Sequence, residues 1–173
     1  MWKPLPALGI CCLCFILRVA ADTHYAVPPG TPGASPAPGY TSWETAATNI
    51  QDAVSAATAG DLVLVTNGFY AVTNHIVIDR AITVRSFSHG ATDREGTVID
   101  GGYPARTNRC LYINNVDALV DGFTITNGYA PAASLSGRGG GIYIQSKGTV
   151  SNCVVSGNQA PGNGGGIYMS GGR

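Results

Sequence analysis

Tyr112, Tyr143 and Tyr168 stand in near-identical triplets, Leu-Tyr-Ile, Ile-Tyr-Ile and Ile-Tyr-Met. Aromatic rings spaced regularly on a rigid surface can stack on sugar faces, or they can stack on one another and stiffen a sheet. Both chemistries are open to these three, which are the candidate binding residues. The other reactive side chains lack the company their chemistry needs. Cleavage of a polysaccharide by acid and base requires two positioned carboxyl groups. Asp79 and Asp100 instead fall at turns, where Asp bonds backbone amides, and Asp93-Arg94-Glu95 reads as a solvated loop. Arg106 and Arg109 flank the start of an apolar run and suit either a carboxylate clamp or a solubilised loop. His75 and His89 have no partnered Ser or Cys nucleophile. With His24 they also show no metal-ligand spacing to Cys110 or Cys153. No catalytic residue, metal or cofactor is expected within these residues.

The elements that must carry the tyrosines come from a repeat. GGGIYIQ at 139–145 returns as GGGIYMS at 164–170, while VDGFTITNGYAP at 120–131 lies over VSNCVVSGNQAP at 150–161. The second pair keeps an offset of 30 and the first an offset of 25, because the loop after Ala130-Pro131 is five residues longer than its counterpart after Ala160-Pro161. Strands that keep step while loops vary are the mark of a solenoid, in which each turn stacks on the last. Alternation predicts Phe123, Ile125, Cys153 and Val155 facing inward, with Thr124 and Thr126 outward. Leu111/Ile113, Ile142/Ile144 and Ile167/Met169 face inward in a second class of strand, which stacks the three tyrosines on the outer face about 4.8 Å apart. The glycines before each strand supply a tight corner. Asp121 aligns with Ser151, so no acidic column runs from rung to rung. Cys110 and Cys153 fall on different strands and read as buried thiols.

Before the repeats, TSWETAATNIQDAVSAATAGD spaces Ala46, Ile50, Ala53, Val54 and Ala57 as one face of a short helix, with Thr41 or Ser42 as N-cap and Gly60 as its stop. Residues 22–41 are dense in Pro and Gly and read as an extended linker or strand-poor arm. Residues 1–21 carry one early cation, an apolar stretch from Leu5 to Leu17 and small residues before Asp22, the layout of a signal peptide. No span is expected in the mature chain, since that apolar stretch falls short of the roughly 20 residues a membrane helix needs. Charged residues make up only 12% of the chain and balance to zero, which argues against a nucleic-acid partner.

With these motifs in view, the chain resembles the right-handed parallel β-helix proteins of pectin-lyase-like fold. NIQDAVSAATAGDLVLVTNGFY is similar to their capping helix and first strand. TVIDGG, VDGFTITNG, SNCVVSGN and GGGIY are similar to β-helix repeats of large bacterial surface proteins, distantly including the polymorphic outer-membrane proteins. The resemblance covers residues 41–173 and implies an all-β right-handed parallel β-helix (residues 42–173) with a short N-terminal capping helix. It implies a secreted or cell-surface bacterial location and an adhesive or glycan-binding role toward a polysaccharide or cell-surface ligand. Two alternatives stay open: a structural stalk, and the N-terminal part of a polysaccharide lyase or glycoside hydrolase, with calcium required only if a lyase site lies downstream. The sequence stops midway through a repeat, so further repeats of the same chain are expected after Arg173.

Overall fold

The computed structural model describes residues 20–88, 96–133 and 135–171. Most of the signal-peptide reading therefore lies outside the described residues, as do His89, the run from Asp93 to Glu95, and Arg173. In chain order the elements are β1 (Thr23–Ala26), α1 (Ile50–Ala56), β2 (Leu62–Val65), β3 (Gly68–Ala71), β4 (Ile76–Ile78), β5 (Thr83–Ser86) and β6 (Thr97–Asp100). There follow β7 (Leu111–Ile113), β8 (Leu119–Asp121), β9 (Thr124–Thr126), β10 (Ile142–Ile144), β11 (Thr149–Ser151), β12 (Val154–Ser156) and β13 (Ile167–Met169).

From β2 to β10 each strand pairs in parallel with the third strand after it. Three sheets result: β1-β2-β5-β8-β11, β3-β6-β9-β12 and β4-β7-β10-β13. The described residues form an all-β parallel solenoid with one α-helix. Strands of three or four residues are too short to stand alone; they persist here because each interior strand is paired on both edges. The register lines up like residues. Val63, Val84, Val120 and Val150 form one inward file. Tyr70, Ile99, Ile125 and Val155 form the second, and Ile76, Leu111, Ile142 and Ile167 the third. Each fully buried Val, Leu or Ile contributes about 1.5–3 kcal/mol, so the files supply most of the stabilisation. Phe123 and Ile125 are fully buried, as the alternation predicts, while Cys153 and Val155 are only partly covered. The difference is positional: they lie on the last described rung, where Ile167 and Met169 are also 44% and 45% exposed.

The N-terminal end departs from expectation in two ways. The helix is seven residues long and its N-cap is Asn49, whose side-chain oxygen accepts from the Asp52 N–H at 2.8 Å. Thr41 and Ser42 do not cap it. Ser42 closes a turn with Thr45, Oγ to Oγ1 at 3.0 Å, and Ala47 bridges to Ala26 in extended backbone. Ala46 is thus buried ahead of the helix, and Gly60 turns, at φ +97°, beyond the helix end at Ala57. Second, the Pro/Gly-rich segment is not strand-free: Thr23–Ala26 adds β1 to the first sheet, in register with β2.

Helix α1 packs on β1, β2 and β4 and satisfies groups the end of the stack would otherwise leave open. Gln51 Oε1 accepts from the Val77 N–H of edge strand β4 at 2.7 Å. Arg80 donates to the Val54, Ser55 and Ala57 carbonyls near the helix C-terminus, where a cation is favoured.

A buried carboxylate locks β1 in place. Asp61 is 3% exposed and accepts from the Asp22 N–H, the Thr58 N–H and the Thr58 hydroxyl, with His24 Nε2 3.2 Å away. Burial pushes its pKa up, but these hydrogen bonds outweigh burial and hold it well below the usual carboxylate range. The unfolded chain therefore takes up this proton first as pH falls. Asp61 stabilises the fold above about pH 4 and loses that contribution on further acidification. Asp61→Asn is expected to cost about 2 kcal/mol at pH 7 and to flatten the acid limb of the stability profile, measured by urea unfolding between pH 2 and pH 7. An acid limb unchanged by the substitution refutes the lock.

Candidate functional site

The GGGIY motif is a corner followed by one strand of the third sheet. Gly139 and Gly164 take φ of +65° and +69°, the left-handed region that favours glycine. Gly140 and Gly141 serve a different need, close approach of the next rung: a Cβ on Gly140 would overlap the Gln159 carbonyl, and one on Gly141 would sit 2.7 Å from the Gly166 oxygen. The Gly141 N–H donates to the Gly165 oxygen at 3.0 Å, and Ile142 N–H to Gly166 at 2.8 Å. This ladder sets β10 on β13 with Tyr143 opposite Tyr168, and β7 on β10 with Tyr112 opposite Tyr143.

The structure thus brings all three expected tyrosines into one file. Ring centroids are 5.8 Å apart for Tyr112 and Tyr143 and 5.3 Å for Tyr143 and Tyr168. The rings lean on one another along the stacking direction, and His75 meets Tyr112 edge-on at 5.9 Å. Two arginines complete the file. Arg109 lies over Tyr143 at 5.2 Å and Arg138 over Tyr168 at 5.1 Å, each reaching the tyrosine of the following rung. Tyr143 is consequently only 6% exposed. The file shows solvent its edges and phenol groups more than its ring faces; Tyr112 donates to Gln145 Oε1 at 2.6 Å and Arg138 donates to the Tyr168 oxygen at 3.0 Å.

Arg109 is neither a carboxylate clamp nor a loop solubiliser. It is 1% exposed, and its guanidinium donates to the Gly139 and Arg138 carbonyls at 2.8 and 2.7 Å. It pins the corner from which the next strand departs. Arg106 is half-buried, its guanidinium folded over Gly102. Arg138 and His75 were not picked out with the tyrosines. A signal for Arg138 was present: an arginine shortly precedes both the Leu-Tyr-Ile and the Ile-Tyr-Ile triplet.

The carboxylates are held in structural hydrogen bonds. Asp121 pairs with Ser151 on one side and Arg85 on the other, accepting from Arg85 Nε at 2.9 Å and from the Asn152 amide at 2.9 Å. Asp100 accepts from the Asn127 side chain at 2.6 Å, so its partner is a side-chain amide of the next rung and not the turn backbone. Asp79 is exposed beside Arg80. Cys110 is buried and Cys153 partly buried, and both are free thiols. Burial pushes the Cys110 thiol up to about 12, with the Asp100 charge adding to it, which keeps it un-ionised and unreactive. Among the described residues, no group of three or more His, Cys, Asp or Glu side chains is placed to hold a metal ion.

One comparison falls on the last described rung, made of β11, β12 and β13. Residues 152–170 match the Chlamydia polymorphic membrane protein repeat. The matched segment contains β12, the corner glycines 164–166 and β13, two of the three strands of that rung, and begins just after β11. The same unit stands one rung earlier, with β9 stacked on β12 and β10 on β13. The likeness arises although the chain has no Phe-x-x-Asn motif, the companion motif of that group. No curated protein matches the chain, and no solved structure does. Among the described residues, no helix is long and apolar enough to cross a membrane.

Proposed function

We propose that the chain forms a right-handed, pectin-lyase-like parallel β-helix displayed on a bacterial surface, where it works as an adhesive segment. The observation that carries this reading is that the surface-protein repeat falls on two successive strands of one rung, β12 and β13, each stacked in register on a strand of the rung before. Right-handedness follows from the general rule for crossovers between parallel strands of one sheet. Adhesion suits a rigid wall whose outer groups repeat at strand spacing. The hydroxyl edge of Tyr112, Tyr143 and Tyr168, with Arg138 beside it, is the row offered to a polysaccharide or a cell-surface ligand.

Two measurements test it. Antibodies raised against residues 139–171 are expected to label intact bacteria expressing the full gene as strongly as permeabilised ones; labelling only after permeabilisation refutes surface display. Purified chain on a glycan array is expected to lose at least about fivefold in binding, roughly 1 kcal/mol, when Tyr112→Ala is combined with Tyr143→Ala. A folded double variant that binds as wild type removes the tyrosine edge from the reading.

A further inference from the structure

Beside the tyrosine file, where the chain passes from β3 to β4 along the start of α1, lies a cleft of about 300 Å³. That is the lower end of the range for small-ligand sites and leaves room for a sugar ring. Its apolar lining includes the buried side chains of Ile50, Val72 and Ile76. Its wall is polar, and only part of that polarity is committed. Asn49 is used by the helix cap, its amide also donating to Asp52 Oδ2 at 2.6 Å. Gln51 is used between the Val77 N–H and the Ser55 hydroxyl. Among the lining side chains, Asp52 Oδ1, the Thr73 hydroxyl, the Asn74 amide and the His75 ring nitrogens make no hydrogen bond within the described residues.

This set is selective. A carboxylate oxygen, an amide, a hydroxyl and an imidazole together offer both donors and acceptors, which suits hydroxyl groups that can do either. The apolar lining suits the C–H face of a sugar ring. Burial, and then the charge of Arg109, hold the His75 ring below the usual imidazole range, so it is neutral at pH 7. Arg109 itself is turned away onto backbone carbonyls. Among the described residues, the one charged side chain that lines the cleft is the Asp52 carboxylate, which opposes the Arg109 charge felt at His75 and leaves no lining cation to pair with an anion. His75 also touches Tyr112, so one lining residue of the cleft is in contact with the first ring of the file.

The geometry points to this cleft as a binding site for a neutral sugar residue, with Asp52, Asn74 and His75 as its hydrogen-bonding groups. The site belongs to the purified chain and is independent of where the chain is displayed, so its failure and that of the surface reading are separable.

The test is an NMR titration of the chain with methyl glucoside, methyl galactoside and methyl N-acetylglucosaminide, using galacturonate as the charged probe and reading the His75 ring resonances. At least one neutral glycoside is expected to shift them saturably, and galacturonate at the same concentration to leave them unmoved. Asn74→Ala, which keeps the ring contact with Tyr112 and is read at the His75 ring, and His75→Ala, read at the backbone amides of Thr73 to Ile76, are each expected to weaken binding at least about fivefold with thermal unfolding unchanged. The site is refuted if all three glycosides fail to shift His75 at tens of millimolar. It is equally refuted by galacturonate binding as well as they do, or by undiminished binding in the Asn74→Ala variant.

Discussion

Gly140→Ala is expected to destabilise the chain by about 4 kcal/mol, enough to unstack the third and fourth rungs, whereas Gly166→Ala costs less than about 1 kcal/mol. Gly140 is the second glycine of one GGGIY copy and Gly166 the third glycine of the next, on the last described rung. The methyl group at Gly140 would overlap the Gln159 carbonyl and crowd the Gly165 carbonyl, which are backbone atoms held in the rung ladder and cannot step aside. At Gly166 the nearest atom is a Val155 methyl at 3.4 Å, a side chain that can shift by the small amount needed. The φ of Gly140 is not in the left-handed region, so the expected loss is one of space and not of backbone freedom. Urea denaturation of the two variants side by side reads the difference. Equal losses refute the assignment of the second glycine to close approach between rungs.

Arg109→Met is expected to cost about 3 kcal/mol. Methionine keeps much of the apolar bulk but leaves the Gly139 and Arg138 carbonyls without donors and removes the cation from the face of Tyr143. Arg109→Lys is expected to recover little. An ammonium on a flexible stem cannot present two parallel donors and lie flat over a ring at once. The loss is expected to appear locally, as faster amide exchange at Gly139 to Gly141 and a change in the near-ultraviolet tyrosine signal, before global unfolding. A variant with wild-type stability would show that the packing of the tyrosines, and not the arginine, fixes the corner.

Much of the stack was legible because a solenoid turns repeats in sequence into neighbours in space. Val120 over Val150, Asp121 over Ser151 and the three tyrosines in one file all follow from aligned tripeptides, and the observed register agrees. The helix start was misplaced for a definite reason. Ala46 and Ile50 keep helical spacing, yet Ala46 is buried in the extended approach to the Ala26 bridge, and two alanines fit either backbone. The Asn49-x-x-Asp52 pattern was the capping signal that decided the matter. Strand β1 was hidden in a Pro-rich stretch because four residues give too short an alternation, and its pairing is with residues 39 positions further on.

The alternation of inward and outward positions, the stacking partners and the corners were determined by the sequence itself, since period-two side-chain direction and glycine φ are local properties of the chain. The tertiary structure alone decided what covers each outward group. It decided that the tyrosine rings lean on one another, that Arg109 is buried beneath the next rung, and that Asp100 answers an asparagine from one turn later. Those outcomes depend on side-chain rotamers and on carbonyls brought alongside from about 30 residues away, and a loop between rungs can change length without altering any motif that the sequence displays.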